Sequence, residues 1–139
     1  MTEHQQIILV DDDRFFNQVA SLLIKKVVPT AFVKTFDKPA AALQFIDSSK
    51  TGLSSSCVLF IDVNMPETSG WELLDQLAEL PIHKLQCLEI YMISALANEA
   101  DARKAQKHPL VQGYFSKPIT VQTIKNIIRV VSAPHAMAV

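Results

Sequence analysis

Four short apolar runs in this chain end in residues that can do chemistry. Ile7-Ile8-Leu9-Val10 ends in Asp11 and Asp12, and Val58-Leu59-Phe60-Ile61 ends in Asp62. Ile90-Tyr91-Met92-Ile93 ends in Ser94, and Gly113-Tyr114-Phe115-Ser116 ends in Lys117. An ionised carboxylate can only accept hydrogen bonds, so three gathered together need positive partners. Two such groups ~4 Å apart repel by about 4 kcal/mol at an effective dielectric of ~20. Lys117 offsets one of the three charges, and a divalent cation would neutralise the rest. Hard oxygen ligands, few enough to leave room for water, suit Mg²⁺. Asp62 can then act as a nucleophile and form an aspartyl phosphate. The metal, the Lys117 ammonium and the Ser94 hydroxyl would stabilise charge on the transferring oxygens.

For this to work, the four run ends must meet. A strand covered on both faces reads as a nearly unbroken apolar run, and open parallel sheets place their chemistry at the carboxyl ends of such strands. Strands are expected at about residues 6–11, 32–36, 57–62, 88–94 and 112–117, each followed by a helical pattern. After Asp13, a natural cap, Phe16, Val19, Ala20, Leu23 and Val27 fall on one helical face, and the helix stops before Pro29. Asp37 can cap a second helix with Pro39 in its first turn and Leu43 and Ile46 inward. Thr68 or Ser69 can cap a third that carries Leu73, Leu74 and Leu77. Asn98 with Asp101 resembles a capping box for a fourth. Thr120 caps a fifth, with Val121, Ile124, Ile127, Ile128 and Val131 inward. Five such units predict an α/β fold: a doubly wound, five-stranded parallel sheet with right-handed crossovers and five helices on its two faces. The helix over 98–107 offers mainly Ala100, Ala102 and Ala105 to the core, so it is expected to be the least firmly docked.

The bulk properties agree with one globular domain. The chain has 139 residues, 49% of them apolar, and a net charge of −1. Basic residues are scattered, so no nucleic-acid surface is expected. Cys57 and Cys87 lack metal-ligand spacing and read as buried free thiols in a reducing cytosol. No basic-then-apolar leader pattern and no apolar stretch of ~18 residues occurs, so a cytoplasmic protein without membrane insertion is expected. Ser54-Ser55-Ser56 reads as a loop, and residues 133–139, which lack periodicity, as a frayed tail after a domain over 1–132.

Four segments together resemble one family: Ile8-Leu9-Val10-Asp11-Asp12-Asp13, Asp62-Val63-Asn64-Met65-Pro66-Glu67-Thr68-Ser69-Gly70, Met92-Ile93-Ser94-Ala95 and Tyr114-Phe115-Ser116-Lys117-Pro118. In these the chain is similar to the receiver domains of two-component response regulators, the single-domain chemotaxis type especially. The resemblance implies a flavodoxin-like sheet of order 2-1-3-4-5. It implies that Asp62 is the phosphoacceptor, with Mg²⁺ held by Asp11 (through water), Asp12, Asp62 and the backbone carbonyl of Asn64. Ser94 becomes the switch hydroxyl, Tyr114 the switch aromatic and Lys117 the phosphate-binding amine. The small Ala95 leaves room for the phosphoryl group, and the Lys117–Pro118 bond is expected to be cis. Partners implied are a sensor histidine kinase or histidine phosphotransfer protein as donor. A downstream protein would read the face of the fourth helix, fifth strand and fifth helix. A stand-alone switch is the first reading, with a phosphorelay intermediate or phosphate sink as the alternative. Ser94 stands where Thr is commoner, which keeps the hydroxyl.

Other classes fit less well. A haloacid-dehalogenase-like phosphohydrolase also uses an aspartate nucleophile, Mg²⁺, a hydroxyl and a lysine. It needs further acids after the lysine, and residues 118–139 contain none. A flavin or dinucleotide binder needs a Gly-rich or Ser/Thr-rich first loop, where this chain places Asp11-Asp12-Asp13.

Overall fold

β1 (Gln6–Val10), β3 (Cys57–Asp62) and β4 (Leu88–Ser94) form the centre of the sheet, and their apolar residues are buried on both faces. β2 (Phe32–Phe36) and β5 (Val111–Ser116) are the edges and are more exposed. The computed structural model describes residues 5–48 and 56–132. The expectations for Ser54, Ser55 and residues 133–139 lie outside that range.

All neighbouring strands pair in parallel, in the order β2-β1-β3-β4-β5. The order and parallel pairing agree with the sequence. Register aligns Val10 with Ile61, Asp62 with Ile93 and Ser94 with Ser116, so the functional run ends lie along one edge. The β4–β5 register shifts between Ile90 and Tyr91: their partners are Val111 and Gly113, which leaves Gln112 as an extra residue on β5.

Side-chain alternation splits the core into two layers. Ile8, Val10, Leu59, Ile61 and Met92 face α2 (Pro39–Ser48), α3 (Gly70–Leu77) and α5 (Glu99–Lys107). Ile7, Leu9, Val58, Phe60 and Ile93 face α1 (Arg14–Val27) and α6 (Val121–Ser132). Each fully buried Leu or Ile contributes about 1.5–3 kcal/mol. The uneven helix faces follow from this: α3 buries Trp71, Leu73, Leu74 and Leu77, whereas α5 buries Ala105 alone.

The caps are largely as the sequence requires. The Asp13 carboxylate accepts from the Phe16 N–H at 3.1 Å, and Thr120 Oγ1 accepts from the Thr123 N–H at 3.1 Å. Of the two candidates for α3, Ser69 is the cap. It forms a full capping box with Glu72, its hydroxyl accepting from the Glu72 N–H at 3.1 Å while its own N–H donates to Glu72 at 2.8 Å. Asn98 caps α5 through the Asp101 N–H, but the return bond differs from a capping box. Asp101 Oδ2 takes the Asn98 side-chain amide, and the Asn98 N–H donates to the Tyr114 hydroxyl.

Three expectations need correction, and the structure adds one element: Ile82–Leu85 forms a single helical turn, α4, after Pro81. There are therefore six helices among the described residues, five of them long. Asp37 does not spend its carboxylate on capping; it pairs with Arg14 at 2.6 Å, and the guanidinium holds it below the usual carboxylate range. Cys57 is buried and its thiol is pushed up to about 12 by burial, but Cys87 is only half-buried. Two residues expected inward are not: Val121 on α6 is exposed, and on α1 Val19 points outward at 46% exposure with Phe15 and Leu22 beside it, while Asn17 and Ile24 face in. The reason is polar: the Asn17 amide donates to the Asp11 carbonyl at 2.8 Å, which sets the rotation of α1. The side chain of Val131 lies outside the described set.

Candidate functional site

The carboxyl edge of the sheet gathers the functional run ends. Backbone bonds pin each one: the Asp11 N–H donates to the Phe36 carbonyl at 3.0 Å, Val63 to Ile93 at 2.8 Å and Lys117 to Ser94 at 2.9 Å. Asp11 and Asp62 are buried, Asp12 is exposed, and one carboxylate oxygen from each lies within 4.8 Å of the others. Lys117 reaches over from the end of β5. Its Nζ is 2.6 Å from Asp11 Oδ2 and 3.6 Å from Asp62 Oδ1. The Asp13 N–H also donates to Asp11 Oδ1 at 2.9 Å. A cleft of about 240 Å³ opens beside Asp12, between Lys38 and Pro66.

Burial sets the electrostatics. Loss of water pushes Asp62 up to about 7, and the nearby Asp11 charge pushes the same way against the pull of Lys117. Burial also raises Asp11, with Lys117 opposing. For Lys117 burial alone would lower the value, but Asp11 and then Asp62 outweigh it and hold the ammonium above its ordinary range. One ammonium cannot serve two buried carboxylates equally, so the pair titrates together. Lys117 hydrogen-bonds Asp11, the nearer carboxylate, and opposes the rise at Asp62 through its charge alone.

The donor set fits a divalent cation and a phosphoryl group on two observations. Three acidic oxygens converge with Lys117 as the only cation paired with them among the described residues, which leaves a charge deficit that a hard cation meets. Ser94 Oγ is fully buried without a hydrogen-bond partner among the described residues, and a buried hydroxyl left unpaired costs about 1–3 kcal/mol. A phosphoryl oxygen on Asp62 would give it an acceptor.

The remaining sequence-marked residues surround this centre. The Asn64 backbone N–H hydrogen-bonds the Asp62 carboxylate and helps lower its value against burial. Ala95 is exposed at the end of β4, Tyr114 is half-buried beside α5, and the Lys117–Pro118 peptide is cis. Gly70 lies so close beneath the loop that a Cβ there would strike the Asp62 carbonyl oxygen.

Three features were not read from the sequence. Asn17 braces the Asp11 backbone from α1. The Phe16 ring lies 4.5 Å from Lys117 Nζ. Trp71 Nε1 donates to Asp101 Oδ1 at 3.3 Å, and Lys104 Nζ sits 4.9 Å over the same indole. None has a motif, because each is a contact between distant segments. The last ties the weak, alanine-only dock of α5 to the helix that follows the Asp62 loop. We expect Trp71→Phe, which removes the donor and keeps a ring, to speed amide hydrogen exchange across Glu99–Lys107 by about fivefold, near 1 kcal/mol. Exchange in β1 and β3 should not change.

A family model for the response regulator receiver domain matches residues 7–129. The chain belongs to the response regulator receiver domain family. Among solved structures, a response regulator receiver protein from Dyadobacter fermentans is 23% identical with a TM-score of 0.82, covering 92% of this chain and 98% of that one. A two-component response regulator from Cytophaga hutchinsonii is also 23% identical, with a TM-score of 0.84 and coverage of 94% and 98%. A chemotaxis protein from Vibrio cholerae is 19% identical, with a TM-score of 0.73 and coverage of 93% and 99%. At these identities the likeness shows the fold. Among curated proteins none matches the sequence. No helix among the described residues is long and apolar enough to cross a membrane.

Proposed function

We propose that this chain is a cytoplasmic phosphorylation switch whose phosphoacceptor is Asp62. A sensor histidine kinase or a histidine phosphotransfer protein supplies the phosphoryl group. An Asp62 carboxylate oxygen attacks phosphorus, the P–N bond to the donor histidine breaks, and the imidazole nitrogen keeps the electron pair and takes a proton. Asp12 and Asp62 would hold Mg²⁺ directly with the Asn64 carbonyl, and Asp11 through water. The bound ion would neutralise charge on the phosphoryl oxygens. Lys117 takes one phosphoryl oxygen and the Ser94 hydroxyl another, while exposed Ala95 leaves the approach open. The observation that carries this reading is the convergence of three acidic oxygens and the Lys117 ammonium beside an unpaired, buried Ser94 hydroxyl.

Output runs through Ser94 and Tyr114. As Ser94 turns to the phosphoryl group, Tyr114 gives up the Asn98 N–H and moves inward. The face of α5, β5 and α6 then changes its affinity for a downstream protein. A cleft of about 320 Å³ between Ala105 and Tyr114 lies on that face and leaves the ring room to move.

The test is incubation with acetyl phosphate, with and without Mg²⁺, read by intact mass. We expect a phosphate adduct that requires Mg²⁺ and is absent from Asp62→Asn. An adduct of equal yield in Asp62→Asn would refute the assignment, and no adduct from the native chain would mean that the site has lost phosphoacceptor activity.

A further inference from the structure

We propose that Phe16 is a positioning residue for Lys117, its ring face holding the ammonium in place for phosphoryl transfer to Asp62. This rests on the reading of Asp62 as the phosphoacceptor.

A lysine ammonium is a compact charge on a flexible four-carbon stem, so its location is set by what surrounds it. Here the surroundings are few. Asp11 Oδ2 lies at 2.6 Å, Asp62 Oδ1 at 3.6 Å and the Phe16 ring centroid at 4.5 Å. Only 15% of the lysine side chain is exposed, so the ring takes a flank that water would otherwise occupy. An aliphatic side chain at position 16 would exclude that water and offer the charge nothing in return. An aromatic face excludes it and attracts the cation. It also adds no negative charge, which another carboxylate would, to a site that must accept an anionic phosphoryl group.

Both ends of this contact are anchored. The Phe16 N–H donates to the Asp13 cap at 3.1 Å, and the side chain packs against the α1–α6 layer of the core. The Lys117 N–H is bonded to the Ser94 carbonyl at 2.9 Å. The start of α1 therefore serves the site twice: Asn17 braces the Asp11 backbone and Phe16 flanks its counter-ion. Phe15, one residue earlier, is 73% exposed and supplies a control of the same residue type.

Phosphorylation rates with acetyl phosphate at saturating Mg²⁺ would be compared for the native chain, Phe16→Leu, Phe16→Tyr and Phe15→Leu. We expect Phe16→Leu to be slower by about fivefold, Phe16→Tyr to recover most of the rate, and Phe15→Leu to match the native chain. The recovery matters because a purely structural role would be met by leucine as well as by tyrosine. A second readout needs no phosphate: the Lys117 Cε protons in the native chain should carry an upfield ring-current shift, lost in Phe16→Leu and kept in Phe16→Tyr. An unshifted Lys117 resonance in the native chain, or a Phe16→Leu rate equal to the native one, overturns the proposal. A native chain that shows the ring-current shift yet takes no phosphate overturns the phosphoacceptor reading instead, and with it the purpose assigned to Phe16.

Discussion

Asn in place of Asp62 is expected to stabilise the metal-free protein at pH ~8 by about 2–4 kcal/mol, although it removes the central group of the site. Burial, with the adjacent Asp11 charge, holds Asp62 up to about 7 in the folded chain, while the same carboxyl in the unfolded chain titrates near its model value of 3.8. Between those two values the native state keeps a proton that the unfolded state has released. The unfolded state binds fewer protons there, so stability falls as pH rises, and the loss is complete above about 7. Asp11 is raised in the same direction and adds to the slope. Asp62→Asn removes the largest part of it. Urea denaturation of both chains at pH ~5 and pH ~8 without divalent ions checks this, and the gap between them should widen from the lower pH to the higher. Mg²⁺ should then stabilise the native chain at pH ~8 and stabilise Asp62→Asn much less, since ligand binding to the folded state alone raises stability.

Gly70→Ala is the other large effect. A Cβ at this position would collide with the Asp62 carbonyl oxygen and come to 3.0 Å from both the Asp62 carbonyl carbon and Ile61 Cγ2. The obstacle is backbone on one side and a buried core residue on the other, so neither yields by a rotamer change. The φ of Gly70 is not positive, so the cost is steric and not conformational. The Gly70 N–H also donates to the Val63 carbonyl at 2.8 Å, which fastens α3 under the Asp62 loop. We expect a loss of about 2–4 kcal/mol in stability, at or above the upper end for overpacked sites. Displacement of Asp62 should also cut the phosphorylation rate by at least ~10-fold, since small misplacements of a reacting group are costly. Thermal denaturation and the intact-mass assay read the two consequences separately. An alanine variant as stable as the native chain would show that α3 can move away from the loop freely.

The central strands were legible because β1, β3 and β4 are covered on both faces, and their unbroken apolar runs stop where chemistry begins. The residues at those ends could be chosen from sequence, and the structure brings Asp11, Asp12, Asp62, Ser94 and Lys117 to one edge. Helix rotation was less legible. α1 carries apolar residues around much of its surface, so the sequence pattern alone puts Val19 on the inward face and leaves Ile24 off it, whereas the Asn17 amide fixes the opposite arrangement. α4 is one turn with no side-chain cap, too short for any period to appear. Asp37 showed a residue type suited to a cap, but its use was decided by Arg14, 23 residues away in sequence. Phe16 over Lys117 and Trp71 on Asp101 are of the same kind: each joins two elements, and neither spacing nor residue type alone marks such a pair.

The most direct measurement is to locate the phosphate. After reaction with acetyl phosphate and Mg²⁺, the protein would be reduced with borohydride, which converts an aspartyl phosphate to homoserine, then digested and mapped by mass. Homoserine at position 62 and nowhere else is the expected result. Homoserine at Asp11 or Asp12, or a phosphate that resists borohydride on another residue type, would contradict the assignment of Asp62 as the phosphoacceptor.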